Sequence, residues 1–90
     1  MRVDFPKSQL LAAHKFSLGN REDVIGSKLC GCFHCLKTFP PHRVTEWIEE
    51  PRDKGETALC PYCGIDSVLA AKSGFPITRR FLGAMQAKYF

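Results

Sequence analysis

The sequence predicts a small α+β domain stapled by zinc, with a zinc-ribbon or treble-clef-like core and flanking helices. Three observations carry that expectation. Two C-x-x-C turns, Cys32-Phe33-His34-Cys35 and Cys60-Pro61-Tyr62-Cys63, stand with positions 36–59 between them. The chain has 90 residues, enough for one hydrophobic core and too few for two. Short β-prone runs flank the cysteine pairs, while both ends of the chain read as helices. The expected organisation is one domain over 1–90: an N-terminal helical segment at 1–28, a zinc ribbon with an inserted helix at 29–74, and a C-terminal helix at 75–90.

The metal argument is geometric. Zinc held by four thiolates takes a tetrahedron, and one C-x-x-C turn offers two adjacent corners. In the second turn Pro61 fixes φ on entry and Gly64 permits a left-handed exit. Cys32, Cys35, Cys60 and Cys63 are therefore the expected ligands of one structural zinc ion. Such a set leaves no open position for substrate. Patterns of this kind commonly hold roughly 15 to 20 residues between the pairs, so the longer interval here must contain an inserted element.

Composition agrees with a stapled globule. The chain is 44% hydrophobic and 24% charged, and a domain of this size often needs a disulfide or metal. Five cysteines, four of them at metal spacing, argue for a reducing compartment rather than a disulfide framework. The start Met1-Arg2-Val3-Asp4 has no apolar h-region, and no run reaches the ~20 apolar residues of a membrane span. The expected location is the cytoplasm. The net charge of +4 is mild and its bases are dispersed, which permits nucleic-acid contact without demanding it.

Element by element, residues 4–18 read as a helix capped by Asp4 or Ser8, with Leu10, Leu11, His14 and Leu18 on one face. Gly19-Asn20 stops it, and Asn20 caps a short helix over 21–27 that buries Val24 and Ile25. Residues 29–36 carry the first metal turn, and Lys37-Thr38-Phe39 leaves it as a strand. Pro40-Pro41 breaks that strand and opens the inserted helix, 42–50, whose Val44, Trp47 and Ile48 fall at i, i+3, i+4. Residues 51–55 form an exposed charged turn, and 56–59 a strand into the second metal turn. Asp66 or Ser67 caps a short helix to Lys72, ended by Gly74. Thr78 caps the last helix, 79–89, which turns Phe81, Leu82, Met85 and Tyr89 to one side and Arg79, Arg80, Gln86 and Lys88 outward.

The runs Cys30-Gly31-Cys32-Phe33-His34-Cys35, Glu46-Trp47-Ile48 and Thr57-Ala58-Leu59-Cys60-Pro61-Tyr62-Cys63-Gly64-Ile65-Asp66-Ser67-Val68 occur in order at close spacing. Together they resemble a group of small bacterial cytoplasmic proteins with a zinc-ribbon core, mostly uncharacterised. The resemblance takes in Asn20-Arg21-Glu22 upstream and Gly74-Phe75-Pro76-Ile77-Thr78 with Phe81-Leu82 downstream, so it spans about His14 to Phe90. It implies cytosolic zinc binding, and because some similar small proteins sit beside bacterial toxins, it suggests an immunity protein that inhibits a bacterial toxin as an alternative expectation. The chain departs from the pattern at Pro40-Pro41-His42-Arg43, where a capping Ser or Asp and an acidic residue are expected. That change makes the face around Arg43 more basic.

No residue set on the page reads as catalytic. Cys30 lies too close to Cys32 to share its metal and reads as a small buried strand residue. His34 points to solvent, His14 packs, and His42 lies at the surface. No serine or aspartate is placed to form a triad with them. Phe33, Tyr62 and Trp47 are expected to pack around the metal. The leading expectation is a non-enzymatic zinc domain that binds another protein. Nucleic-acid binding comes next, on the basic pI of about 8.9, and then a thiol redox sensor. Phe81, Leu82, Met85, Tyr89 and Phe90 are core first, and a partner-binding patch second.

Overall fold

The computed structural model describes residues 5–90. Its architecture follows from a sheet with two differently used faces. Strand β1 (Cys30–Cys32) lies between β2 (Thr38–Phe39) and β5 (Val68–Ala70), antiparallel to both. The register sets Cys30 opposite Ala70, Gly31 opposite Leu69 and Cys32 opposite Val68. Side chains alternate across a strand, so one residue class goes to each side. Cys30, Cys32, Val68 and Ala70 join a buried cluster with Val24, Phe39, Val44, Ala58 and Cys60. Leu69 joins the opposite cluster with Leu10, Ala13, Phe33, Phe81, Leu82 and Met85.

Helices α1 (Lys7–His14) and α3 (Arg79–Tyr89) cover the second face. Gly31 explains how close α3 comes. A Cβ there would lie 2.8 Å from Leu82 Cδ1 and 2.9 Å from Ile77 Cγ2, nearer than packed carbons approach. The Phe81 N–H donates to the Thr78 hydroxyl at 3.2 Å, so the expected cap of α3 is present.

Over the first face sits a separate antiparallel hairpin, β3 (Trp47–Glu49) with β4 (Glu56–Ala58), alongside α2 (Arg21–Ile25). This overturns the inserted helix expected at 42–50. Only one 3-10 turn, Pro41–Arg43, follows the prolines. Beyond it Trp47 pairs with Ala58, Ile48 with Thr57 and Glu49 with Glu56. Val44, Thr45, Trp47 and Ile48 are β-branched or aromatic, and a partner strand lay within a short turn's reach. Three apolar positions at helical spacing were too few to compete.

A second expected helix, 66–72, is also replaced. Val68–Ala70 is buried at every position and completes the sheet, leaving one 3-10 turn, Ala71–Ser73, before left-handed Gly74 (φ 92°). The first helix is shorter than expected and continues as a 3-10 turn, Lys15–Ser17. Ser8 does not cap it, and Asp4 lies outside the described residues. Its buried face is Leu10 and Ala13, while Leu11 is 53% exposed. In α2, Val24 is buried and Ile25 is exposed, because five residues give one buried turn only.

Asn20 does not cap α2. Buried, it spans the two sheets instead. Its Nδ2 donates to the Val68 carbonyl at 2.8 Å and the Phe16 carbonyl at 3.0 Å, and its Oδ1 accepts from the Ala58 N–H at 3.1 Å. Beside it Gly19 N–H donates to the Thr57 hydroxyl, which in turn donates to Glu50. Arg21 pairs with Glu56 and lies 4.8 Å over the Trp47 ring. Residues 19–21 thus fasten the N-terminal segment to the hairpin.

Asn20→Ala would leave a strand carbonyl and a strand N–H buried without partners, at about 1–3 kcal/mol each. The expected loss is about 2–6 kcal/mol of unfolding free energy, read from urea melts of the metal-loaded protein. A loss under about 0.5 kcal/mol, as for an ordinary surface change, would contradict the clasp.

Candidate metal centre

Two knuckles of one design make the site. In the first, β1 runs into Cys32 and the chain turns back to β2. The Cys32 N–H donates to the Lys37 carbonyl at 3.0 Å, Leu36 N–H to the Cys32 carbonyl at 2.9 Å, and His34 N–H to the Cys32 sulfur at 3.3 Å. In the second, the Cys60 N–H donates to the Ile65 carbonyl at 3.0 Å, Gly64 N–H to the Cys60 carbonyl at 2.9 Å, and Tyr62 N–H to the Cys60 sulfur at 3.3 Å. The patterns superpose residue for residue. Leu36 (φ 65°) therefore takes the left-handed position that Gly64 (φ 78°) takes in its own knuckle, where a side chain is disfavoured.

The knuckles face one another. Cys32 Sγ lies 3.6 Å from Cys63 Sγ, and Cys35 Sγ 3.6 Å from Cys60 Sγ. All four sulfurs lie within 4.8 Å of one another, and Cys32, Cys35, Cys60 and Cys63 form the one metal-competent cluster among the described residues. A regular tetrahedron with metal–sulfur bonds of about 2.3 Å has sulfurs about 3.8 Å apart. The cluster is compatible with one tetrahedral metal ion. The four expected ligands are brought together, and Cys30 stays apart as a fully buried strand residue.

Burial opposes ionisation at Cys32, Cys60 and Cys63. Burial pushes Cys32 up to about 12, against hydrogen bonds from the Ser67 hydroxyl and the Cys35 and His34 N–H groups. Burial likewise raises Cys63. Burial also opposes ionisation of Cys60, yet the Cys63 and Tyr62 N–H groups and the neighbouring thiols outweigh it and lower its pKa. Burial alone raises Cys30 to about 11.

Ser67 was read from sequence as a helix cap, and its role is different. It is buried, with its hydroxyl 3.0 Å from the Cys32 sulfur and its carbonyl accepting from the Phe33 N–H at 2.9 Å. The hydroxyl supports a Cys32 thiolate by donating to it. Nothing in the spacing announces this bond, because it depends on β5 pairing with β1.

The expected aromatic surround is only partly present. Trp47 packs against the buried cluster that includes Cys32 and Cys60, but Phe33 turns to the opposite face of the sheet, among α1 and α3. Tyr62 is half exposed, with Lys37 Nζ 5.1 Å above its ring. His34 does not point freely to solvent. Its ring is half-buried, edge-on to Phe90 at 4.6 Å, and its carbonyl accepts from Gln86 Nε2 at 2.7 Å. Helix α3 is thereby tied to the first knuckle. His14 packs as expected, stacked on Tyr89 at 4.2 Å.

No known family, curated protein or solved structure matches the chain. Among the described residues no helix is long and apolar enough to cross a membrane.

Two outcomes test the centre. Ser67→Ala removes the hydroxyl that lies 3.0 Å from the Cys32 sulfur, so protons compete better for that sulfur. Metal affinity should fall about tenfold, and metal should be released at a higher pH during acidification. Cobalt absorption followed through a pH titration reads both, and an unchanged release curve would contradict the assigned role. In the native metal-loaded protein, iodoacetamide should leave Cys30 unmodified until denaturant is added, which peptide mass mapping would show. Rapid native alkylation of Cys30 would contradict its burial.

Proposed function

We propose that this chain is a non-enzymatic, zinc-stabilised domain of the cytosol that works by binding another protein. The observation that carries the reading is the closed cysteine tetrahedron. Four sulfurs supply every corner of a four-coordinate site, and such sites are structural because catalysis needs an open position. Zinc suits the set best: it favours four thiolates in a tetrahedron and brings no redox chemistry of its own. The zinc-ribbon reading of the fold rests on the two matching knuckles, each at a strand end and each facing the other.

When bound, the metal supplies a rigid cross-link. The chain's own residues do the rest. The N–H groups of His34 and Tyr62 hold the sulfurs' charge, Ser67 steadies Cys32, and Gln86 links the first knuckle to α3. A scaffold stiffened in this way presents its helices and hairpin with little loss of conformational freedom on association. Apolar groups at the surface, Leu11, Leu18, Ile25, Ile48 and Phe90 among them, provide contact area for a protein.

Nucleic-acid binding is the second reading, favoured by the six cations of the helical half of the chain, residues 5–18 and 67–90, which contain no Asp or Glu. Against it, the surface between those cations includes exposed apolar groups, and Glu46, Glu49 and Glu50 line the hairpin side. Phosphate contacts would also make binding fall steeply with salt.

Tagged protein drawn from its host lysate, with and without nuclease, separates the readings. The account expects a stoichiometric protein partner that survives nuclease, together with one zinc per chain by elemental mass spectrometry. Partners that vanish with nuclease, or iron in place of zinc, would overturn it.

A further inference from the structure

The two end segments of the described residues carry one sign of side-chain charge. The segments 5–18 and 67–90 contain Lys7, Lys15, Lys72, Arg79, Arg80 and Lys88, whereas every carboxylate side chain among the described residues lies between Glu22 and Asp66. Those segments build α1, β5 and α3. Between α1 and α3 runs an open groove of about 510 Å³. Phe5, Leu10, Ala84 and Ala87 line it, with Lys7 on one wall and Lys88 on the other. Leu11, one turn along α1 from Lys7, extends the exposed apolar surface.

We propose that this groove docks an amphipathic helix of a partner protein, one whose apolar ridge is flanked by Asp or Glu. The inference rests on the protein-binding reading above and names the partner's chemistry. Two packed helices leave a channel that a third can fill, the helix-in-groove mode with anchors at i, i+3/i+4 and i+7. Helix α3 has 11 residues, about 16 Å of length, which matches such a ridge. The single-carbon side chains of Ala84 and Ala87 let a partner backbone come close, and Gly83 has no neighbour within 4 Å of where its Cβ would stand. The apolar floor disfavours a phosphate backbone, which wants charge without oil beneath it. The lysine walls then select acidic flanks over basic ones.

The probe is a labelled peptide of about four helical turns, with leucines at i, i+4, i+7 and i+11 and glutamates beside them. A twin carries lysine in place of each glutamate. With the full metal-loaded chain in ~50 mM salt, the glutamate peptide should bind at least about tenfold tighter than its twin by fluorescence anisotropy. The pair Lys7→Glu/Lys88→Glu should reverse that preference. Ala87→Glu, at an exposed position, should weaken the glutamate peptide about tenfold, while Arg52→Ala on the hairpin turn should change nothing. Reversal by charge exchange keeps the test independent of any loss of fold.

Equal binding of the two peptides would overturn the proposal, as would a preference unchanged in the charge-reversed pair. Binding seen only after deletion of residues 1–4 would assign the groove to the chain's own N-terminus. A dimer abolished by Ala87→Glu would assign it to a second copy, and capture by phosphatidylglycerol vesicles in place of peptide would assign it to a membrane. A lysate partner retained undiminished by both groove variants would overturn the groove while leaving the protein-binding reading standing.

Discussion

Four sulfurs from two distant turns have to meet at one point, and the rest of the fold is arranged so that they do. Cys32 and Cys35 belong to the three-stranded sheet, and Cys60 and Cys63 follow the hairpin. The sheets have no strand pairing in common. Their junction is the shared apolar cluster, the Asn20 side chain and the cysteine tetrahedron. A chain of 90 residues buries too little apolar surface to hold such a junction with much margin. A structural zinc contributes about 10–16 kcal/mol in small peptides near neutral pH, which is comparable to the whole stability of an ordinary domain.

The period-2 geometry of β1 divides the molecule's labour. Cys30 and Cys32 look toward the metal side, while Gly31 looks the other way and has no side chain, so Leu82 and Ile77 press against the strand. One tripeptide therefore serves both the metal centre and the helical layer. Gln86 closes the loop by holding the His34 carbonyl from α3. The helical layer is thus anchored to the first knuckle. Among the described residues, segments 5–18 and 67–90 carry cations but no Asp or Glu, and the carboxylate side chains lie between Glu22 and Asp66.

The cysteine cluster was legible because its turns are local: two residues between cysteines, a proline and a glycine at fixed offsets. The capped amphipathic α3 was legible for the same reason. What sequence reasoning missed depends on long-range pairing. Val44, Trp47 and Ile48 fit a helical stripe as well as a hairpin, and only the partner strand 56–58 decides between them. Val68–Ala70 became the third strand because β1 had an edge to cover, and that pairing delivers Ser67 to the Cys32 sulfur. Asn20 looked like a cap because caps are local, but two sheets meet where it stands. The Leu36 position had a sequence signal that went unused, since it is the counterpart of Gly64.

The most direct measurement is a zinc titration of the acid-stripped, reduced protein, followed by near-ultraviolet circular dichroism and amide hydrogen exchange. If the tetrahedron is what joins the sheets, the stripped chain lacks fixed aromatic packing and slow amides. Both should then appear together and saturate at one zinc per chain. A stripped chain that already has the native spectrum and protected amides in β1, β4 and β5, unchanged by zinc, would contradict the account.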